Sequence, residues 1–185
     1  MKRKELILKI SLSGMFMALG IVLPFLTGQI PEIGSMLCPM HIPVLVCGFV
    51  CGWKYGLIVG IILPILRSLI FTMPPFYPAA LTMSFELAMY GFVSGFLFEA
   101  FNISGKRNIG TNYVVLLAAM LDGRIIWGIV SFLLSLIDGT FNFTFKVFLS
   151  GAFITAWPAI IIQLTLIPML ILVLEKTNLL EKISK

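Results

Sequence analysis

The residues able to do chemistry are few, and most lie in apolar surroundings. Arg67, Glu86, Asp122 and Arg124 fall inside long hydrophobic runs, with His41 at the start of one run and Glu99 near the end of another. An Arg or Asp at mid-bilayer costs about 2.5–3.5 kcal/mol on insertion scales, so such residues face a bundle interior or a water-filled cavity. At about 1.5 Å of rise per residue, Arg67 lies roughly 7 Å and Glu86 roughly 12 Å below the outer ends of neighbouring helices, so an Arg67–Glu86 pair is feasible. Arg124 is deeper, roughly 20 Å down, near the layer of Gln163 and with no obvious carboxylate at that depth. Helical spacing puts Tyr90 on the stripe of Glu86, and Trp127 and Ser131 on the stripe of Arg124. Asp122, two residues from Arg124, points to nearly the opposite face. A deep arginine beside Trp127 and Gln163 suits a small ligand bearing a carboxylate or another anionic group. Trp157 is a further lining candidate, with an interfacial anchor as the other reading, and Pro158 could open the last helix to free a carbonyl.

Other chemistries lack their parts. His41 is the only histidine, so a histidine metal site is excluded, and a capping or packing role is its plain alternative. No HExxH, no phosphate loop with its lysine and no Ser-His-Asp set is present. No enzymatic activity and no cofactor is expected. Cys38, Cys47 and Cys51 form neither a disulfide framework nor a metal spacing.

The elements that must position these residues are helices in lipid. Of the 185 residues, 59% are hydrophobic and only 11% charged, too little charge to cover a soluble surface, where about a quarter is usual. A membrane helix takes about 20 apolar residues. Spans are read at about 6–26, 38–52, 55–71, 79–101, 113–137 and 151–174, the second being short. The first follows a basic start like that of a signal peptide, but its apolar stretch is too long and lacks a cleavage site, so it is expected to be retained. Gly52 to Gly56 reads as a tight turn, and prolines 74, 75 and 78 interrupt the chain before the fourth span. The expectation is an all-α, integral membrane six-helix bundle, one domain over 1–185.

Charge then sets orientation. Six spans put both termini on one side, with Lys2, Arg3, Lys4, Lys9, Lys176, Lys182 and Lys185. Two loops on that side add Lys54, Lys106 and Arg107, whereas the other side holds only Lys146. Lys and Arg accumulate in the cytoplasm, so both termini are expected there. The net charge of +5 is thus an orientation signal, and no nucleic-acid partner is expected. The outer segment 138–150, with Phe141, Phe143, Phe145, Phe148 and Asn142, is either an interfacial loop or a lid over an outward pocket. Small residues recur at four-residue spacing (Gly14 and Ala18; Gly48, Gly52, Gly56 and Gly60; Gly91 and Gly95), the usual device for close helix approach in lipid. Gly14 and Ala18 are the pair most suited to meet another subunit.

The run from Cys38 to Gly56, CPMHIPVLVCGFVCGWKYG, resembles the second helix and turn of the substrate-binding S components of energy-coupling factor (ECF) transporters. Pro64 to Ser68 (PILRS), Met73 to Pro75 (MPP) and Phe85 to Gly91 (FELAMYG) are similar to that family too, and the resemblance covers nearly the whole chain. It implies six helices in a bacterial cell membrane and a vitamin-sized ligand held near the outer side. The partners implied are a transmembrane coupling (T) subunit and two cytoplasmic ATPases, with delivery by toppling of the subunit. In the family, small alanine-like residues on the first helix meet the coupling subunit; Gly14 and Ala18 stand there, a glycine replacing the first alanine. The expected ligand set is His41, Arg67, Glu86, Tyr90, Arg124, Trp127, Asn142, Trp157 and Gln163. Two arginines favour pantothenate, while pyridoxine-related, riboflavin, thiamine, folate, niacin and queuosine-precursor ligands stay open. A proton-coupled secondary transporter using Glu86 or Asp122 is the competing class, but the two halves show no clear inverted repeat.

Overall fold

The computed structural model describes residues 3–27, 30–104, 108–138 and 142–177. Eight helices are present among them: α1 Arg3–Val22, α2 Pro31–Leu37, α3 His41–Cys51, α4 Trp53–Phe71, α5 Leu81–Ile103, α6 Ile109–Ile137, α7 Phe145–Leu149 and α8 Trp157–Lys176. A 3₁₀ turn, Leu23–Thr27, extends α1, and wide helical turns, Phe76–Ala80 and Ser150–Thr155, lead toward α5 and α8. Backbone polar groups have no water to bond in hydrocarbon, so an apolar chain satisfies them as helix. Five of the helical segments are long and apolar enough to cross a membrane.

The expected second span is different in kind. α3 has 11 residues, about 16 Å of helix, too short to cross a hydrocarbon core of about 30 Å. Ten of those residues are buried in protein, so its apolar character answers neighbouring helices rather than lipid. The turn expected over 52–56 shrinks to Gly52 alone, and Trp53 already opens α4. Gly52 has φ of +95°, a backbone state that a residue with a Cβ adopts only with strain. Two expected outer loops hold helix: α2 lies within the first, and α7 within the aromatic segment, capped by the Thr144 hydroxyl at 3.4 Å from the Val147 N–H.

A seam of small residues holds the centre. An added Cβ at Gly56 or Gly91 would collide with backbone of the other, and one at Gly60 with the Leu87 backbone. Gly48 meets Gly91 and Ser94, and Gly95 meets Trp53. The glycine periodicity therefore serves internal packing of α3, α4 and α5, as its spacing predicts. Gly14 differs: nothing lies within 4 Å of its would-be Cβ, and both it and Ala18 are exposed on α1.

Contacts fix the helix directions. Gly20 packs on Leu63 and Phe25 on Phe71, so α1 and α4 run parallel. The Gly56–Gly91 and Trp53–Gly95 contacts make α5 antiparallel to α4. At the start of α6, Asn108 and Thr111 close a reciprocal cap, each accepting from the other's backbone N–H at 2.8 and 2.9 Å. One turn on, the Asn112 amide donates to Glu175 near the end of α8 at 3.3 Å. Arg3 and Lys176 thus lie at the same end of the bundle as Gly52, opposite the turn at Pro75.

Candidate ligand-binding site

Glu86 lies in the second turn of α5 and is 2% exposed. Its Oε1 sits 3.1 Å from Arg124 Nη1 on α6 and 3.4 Å from His41 Nε2, at the first residue of α3. Tyr90, one turn along α5 and wholly buried, sets its ring edge-on against His41 at 5.1 Å between centroids. The close approach of α5 to α6 depends on Gly123, where any Cβ would overlap the Tyr90 ring. Glycine is required there because an aromatic ring occupies the side-chain position. Arg124 Nη2 turns to the Cys38 sulfur, 3.8 Å away, a weak acceptor for a guanidinium.

Four expected residues, His41, Glu86, Tyr90 and Arg124, therefore form one buried cluster at the junction of α3, α5 and α6. The fixed charges of Arg124 and Glu86 cancel. Hydrogen bonding within the cluster is incomplete: both His41 ring nitrogens, the Tyr90 hydroxyl and Gln163 Nε2 are buried without a hydrogen bond of good geometry, while Glu86 Oε1 is engaged by its contacts with Arg124 and His41. Buried polar groups are paired in the great majority of cases, so a concentration of unpaired ones is a feature to be explained.

Gln163 is 1% exposed on α8. It lies one turn beyond Ala159, which packs with Ala156 against Cys38, so Gln163 is on the α8 face turned toward this part of the bundle. Trp127, on the stripe of Arg124, meets Phe143 edge-on at 5.3 Å and stacks beside Phe148 at 6.1 Å. Phe148 also occupies the space beside Gly128. The aromatic segment is thus laid on α6 one turn above Arg124, with Phe143 buried and Phe145 75% exposed.

The remaining expected residues lie outside this cluster or pair differently. Arg67 does not pair with Glu86. Its Nη1 donates to the Ile21 carbonyl at 2.7 Å, and its guanidinium lies 5.3 and 5.6 Å from the ring centroids of Phe25 and Phe71. This arginine ties α4 to α1, where α1 tightens into its 3₁₀ turn. The carboxylate that Arg124 was expected to lack is Glu86. At 29 residues, about 43 Å, α6 exceeds the hydrocarbon thickness, so counting from its outer end places Arg124 too deep. Asn142 is exposed in the aromatic segment, and Trp157 is 58% exposed at the start of α8; neither joins the cluster. Pro158 stands in the first turn of α8, where its missing N–H breaks no bond, so it starts the helix instead of opening it. Asp122 is off the cluster face, as its spacing predicts, with Oδ2 buried and unpaired.

Cys38 is the residue that sequence reasoning missed. Its position three residues before His41 is a signal that could have found it, because whatever places that histidine at the head of α3 also brings Cys38 near. The left-handed turn at Cys38, φ 43°, supplies the bend.

Comparison with known proteins gives one match. The model of the family described as "ECF transporter, substrate-specific component" matches residues 8–171. No curated protein and no solved structure matches the chain. The matched range contains every helix from α2 to α7 and most of α1 and α8, and the all-helical membrane architecture agrees with it. The chain therefore belongs to the family of substrate-specific components of ECF transporters, substrate-binding subunits rather than enzymes.

Proposed function

We propose that this chain captures a vitamin-sized organic molecule at the His41–Glu86–Tyr90–Arg124 cluster, with Gln163 contributing from α8 and the Trp127 aromatic group bordering it. The observation that carries this reading is the group of buried polar side chains with incomplete hydrogen bonding gathered around one ion pair in an apolar bundle. A ligand supplies the partners that the protein withholds. In the proposed orientation both termini are cytoplasmic and the Pro75 end faces outward, following the distribution of Lys and Arg. The chain then hands its ligand on by toppling within a bacterial cell membrane, in complex with a coupling subunit and two ATPases. The open Gly14 and Ala18 face of α1 is the contact proposed for the coupling subunit.

A carboxylate ligand such as pantothenate calls for an open arginine, but Arg67 is engaged by a backbone carbonyl and Arg124 by Glu86, so the two arginines do not single out pantothenate. The test is calorimetry of the purified chain, without ATP or partner subunits, against each water-soluble vitamin. One ligand is expected to bind at one site per chain. Absence of binding across the set would refute capture by this subunit alone.

A further inference from the structure

If the cluster is the ligand site, its own charges constrain what it takes. Arg124 Nη1 lies 3.1 Å from Glu86 Oε1, so the deepest cation on this side of the bundle is already answered by a protein carboxylate. Arg67 cannot substitute for it, being held on the Ile21 carbonyl and flanked by Phe25 and Phe71. Lys146 is exposed in the aromatic segment. A ligand carboxylate reaching Arg124 would come to rest beside the carboxylate of Glu86, two like charges in a buried place of low dielectric.

The unpaired groups are hydrogen-bonding groups rather than surplus cations. Gln163 Nε2 offers a donor, the Tyr90 hydroxyl and the His41 ring can each give or accept, and the Glu86 carboxylate, engaged by Arg124, has lone pairs to accept a further hydrogen bond. Arg124 Nη2 spends a donor on the Cys38 sulfur at 3.8 Å, which a carbonyl or hydroxyl oxygen would accept far better.

We infer that the part of the ligand seated in this cluster is uncharged, offering an N–H or O–H to Glu86 and a neutral oxygen or ring nitrogen to Arg124 and Gln163. Glu86 is then the residue that sets specificity. It answers the arginine, rejects acids, and takes a donor from the ligand.

Matched pairs differing only in the ionised group test this on the purified full-length chain: nicotinamide with nicotinate, pyridoxine with 4-pyridoxate, and panthenol with pantothenate, together with uncharged riboflavin, all titrated by calorimetry near pH 7. The expected result is at least tenfold tighter binding of the uncharged member of the pair that binds, or binding of riboflavin. Glu86→Gln should narrow that preference at least tenfold by leaving Arg124 unanswered. A carboxylate member that binds as tightly as its uncharged counterpart, or more tightly, overturns the inference while leaving the binding subunit intact. No binding by any of the seven compounds overturns both the inference and the assignment of the cluster as a ligand site. The wild-type comparison stands even if Glu86→Gln fails to fold.

Discussion

Replacing Glu86 by Gln keeps the volume of the side chain and removes its charge. Arg124 is 9% exposed, and its charged partner is 3.1 Å away. Removing one member of a buried pair costs about 3–5 kcal/mol, because the other charge is left in low dielectric without compensation. Gln can still accept one hydrogen bond from Nη1, so the lower end, about 3 kcal/mol, is expected. For a chain of this length, each kcal/mol moves the unfolding midpoint by about 2–4 °C. Glu86→Gln should therefore melt roughly 6–12 °C lower in detergent. Arg124→Met should lose a comparable amount by leaving Glu86 unanswered. The double variant buries neither charge, so its loss should fall short of the sum of the single losses by at least about 1 kcal/mol. Thermal unfolding followed by intrinsic fluorescence, with mild-detergent micelles as solvent for all four proteins, measures the cycle. Losses that add to within about 0.5 kcal/mol would show the two residues to be independent, and the ion pair at the centre of the site would be refuted.

Three further outcomes follow from other contacts. Arg67→Ala should cost about 2–4 kcal/mol of stability through one charged hydrogen bond and two ring contacts, yet leave ligand affinity within about twofold, as read by melting and titration of the same sample. Gly91→Ala drives a methyl group into the Gly56 backbone and should cost about 2 kcal/mol or more, seen as reduced yield and a lowered melting point. Gly14→Leu and Ala18→Leu should each change stability by less than about 0.5 kcal/mol, because these positions are exposed. Co-purification of the coupling subunit should nevertheless fall sharply, and an unchanged yield of complex would place the partner elsewhere.

The helices and the family were legible in the sequence because each rests on runs of residues. Apolar length marks a membrane helix whatever its neighbours are, and the Cys38 to Gly56 run carries its resemblance in contiguous letters. The glycine seam was legible too, since four-residue spacing survives into three dimensions as one helix face. Pairing of the polar residues was legible only in part. Spacing along one helix put Tyr90 with Glu86 and turned Asp122 away from Arg124, but it gives no rotation or tilt of one helix against the next. Arg67 and Glu86 are neighbours in sequence order and in estimated depth, yet Arg67 looks across to α1 and Glu86 to α6. The return leg from the Pro75 end to Gly52 was legible as an apolar run, but not that α3 makes it in 11 residues wrapped in protein, because hydropathy does not distinguish burial in lipid from burial in protein. Cys38 escaped because its contact with Arg124 joins residues 86 apart in the chain.

Ligand affinity of Arg124→Ala beside Arg67→Ala tests the location of the site most directly, because both variants remove a buried arginine and only one touches the cluster. By calorimetry with the vitamin that the wild-type chain binds, Arg124→Ala should weaken binding at least tenfold, whereas Arg67→Ala, once shown to be folded, should stay within about twofold, about 0.4 kcal/mol. Equal losses, or the larger loss at Arg67, would move the binding site away from Glu86 and contradict the account.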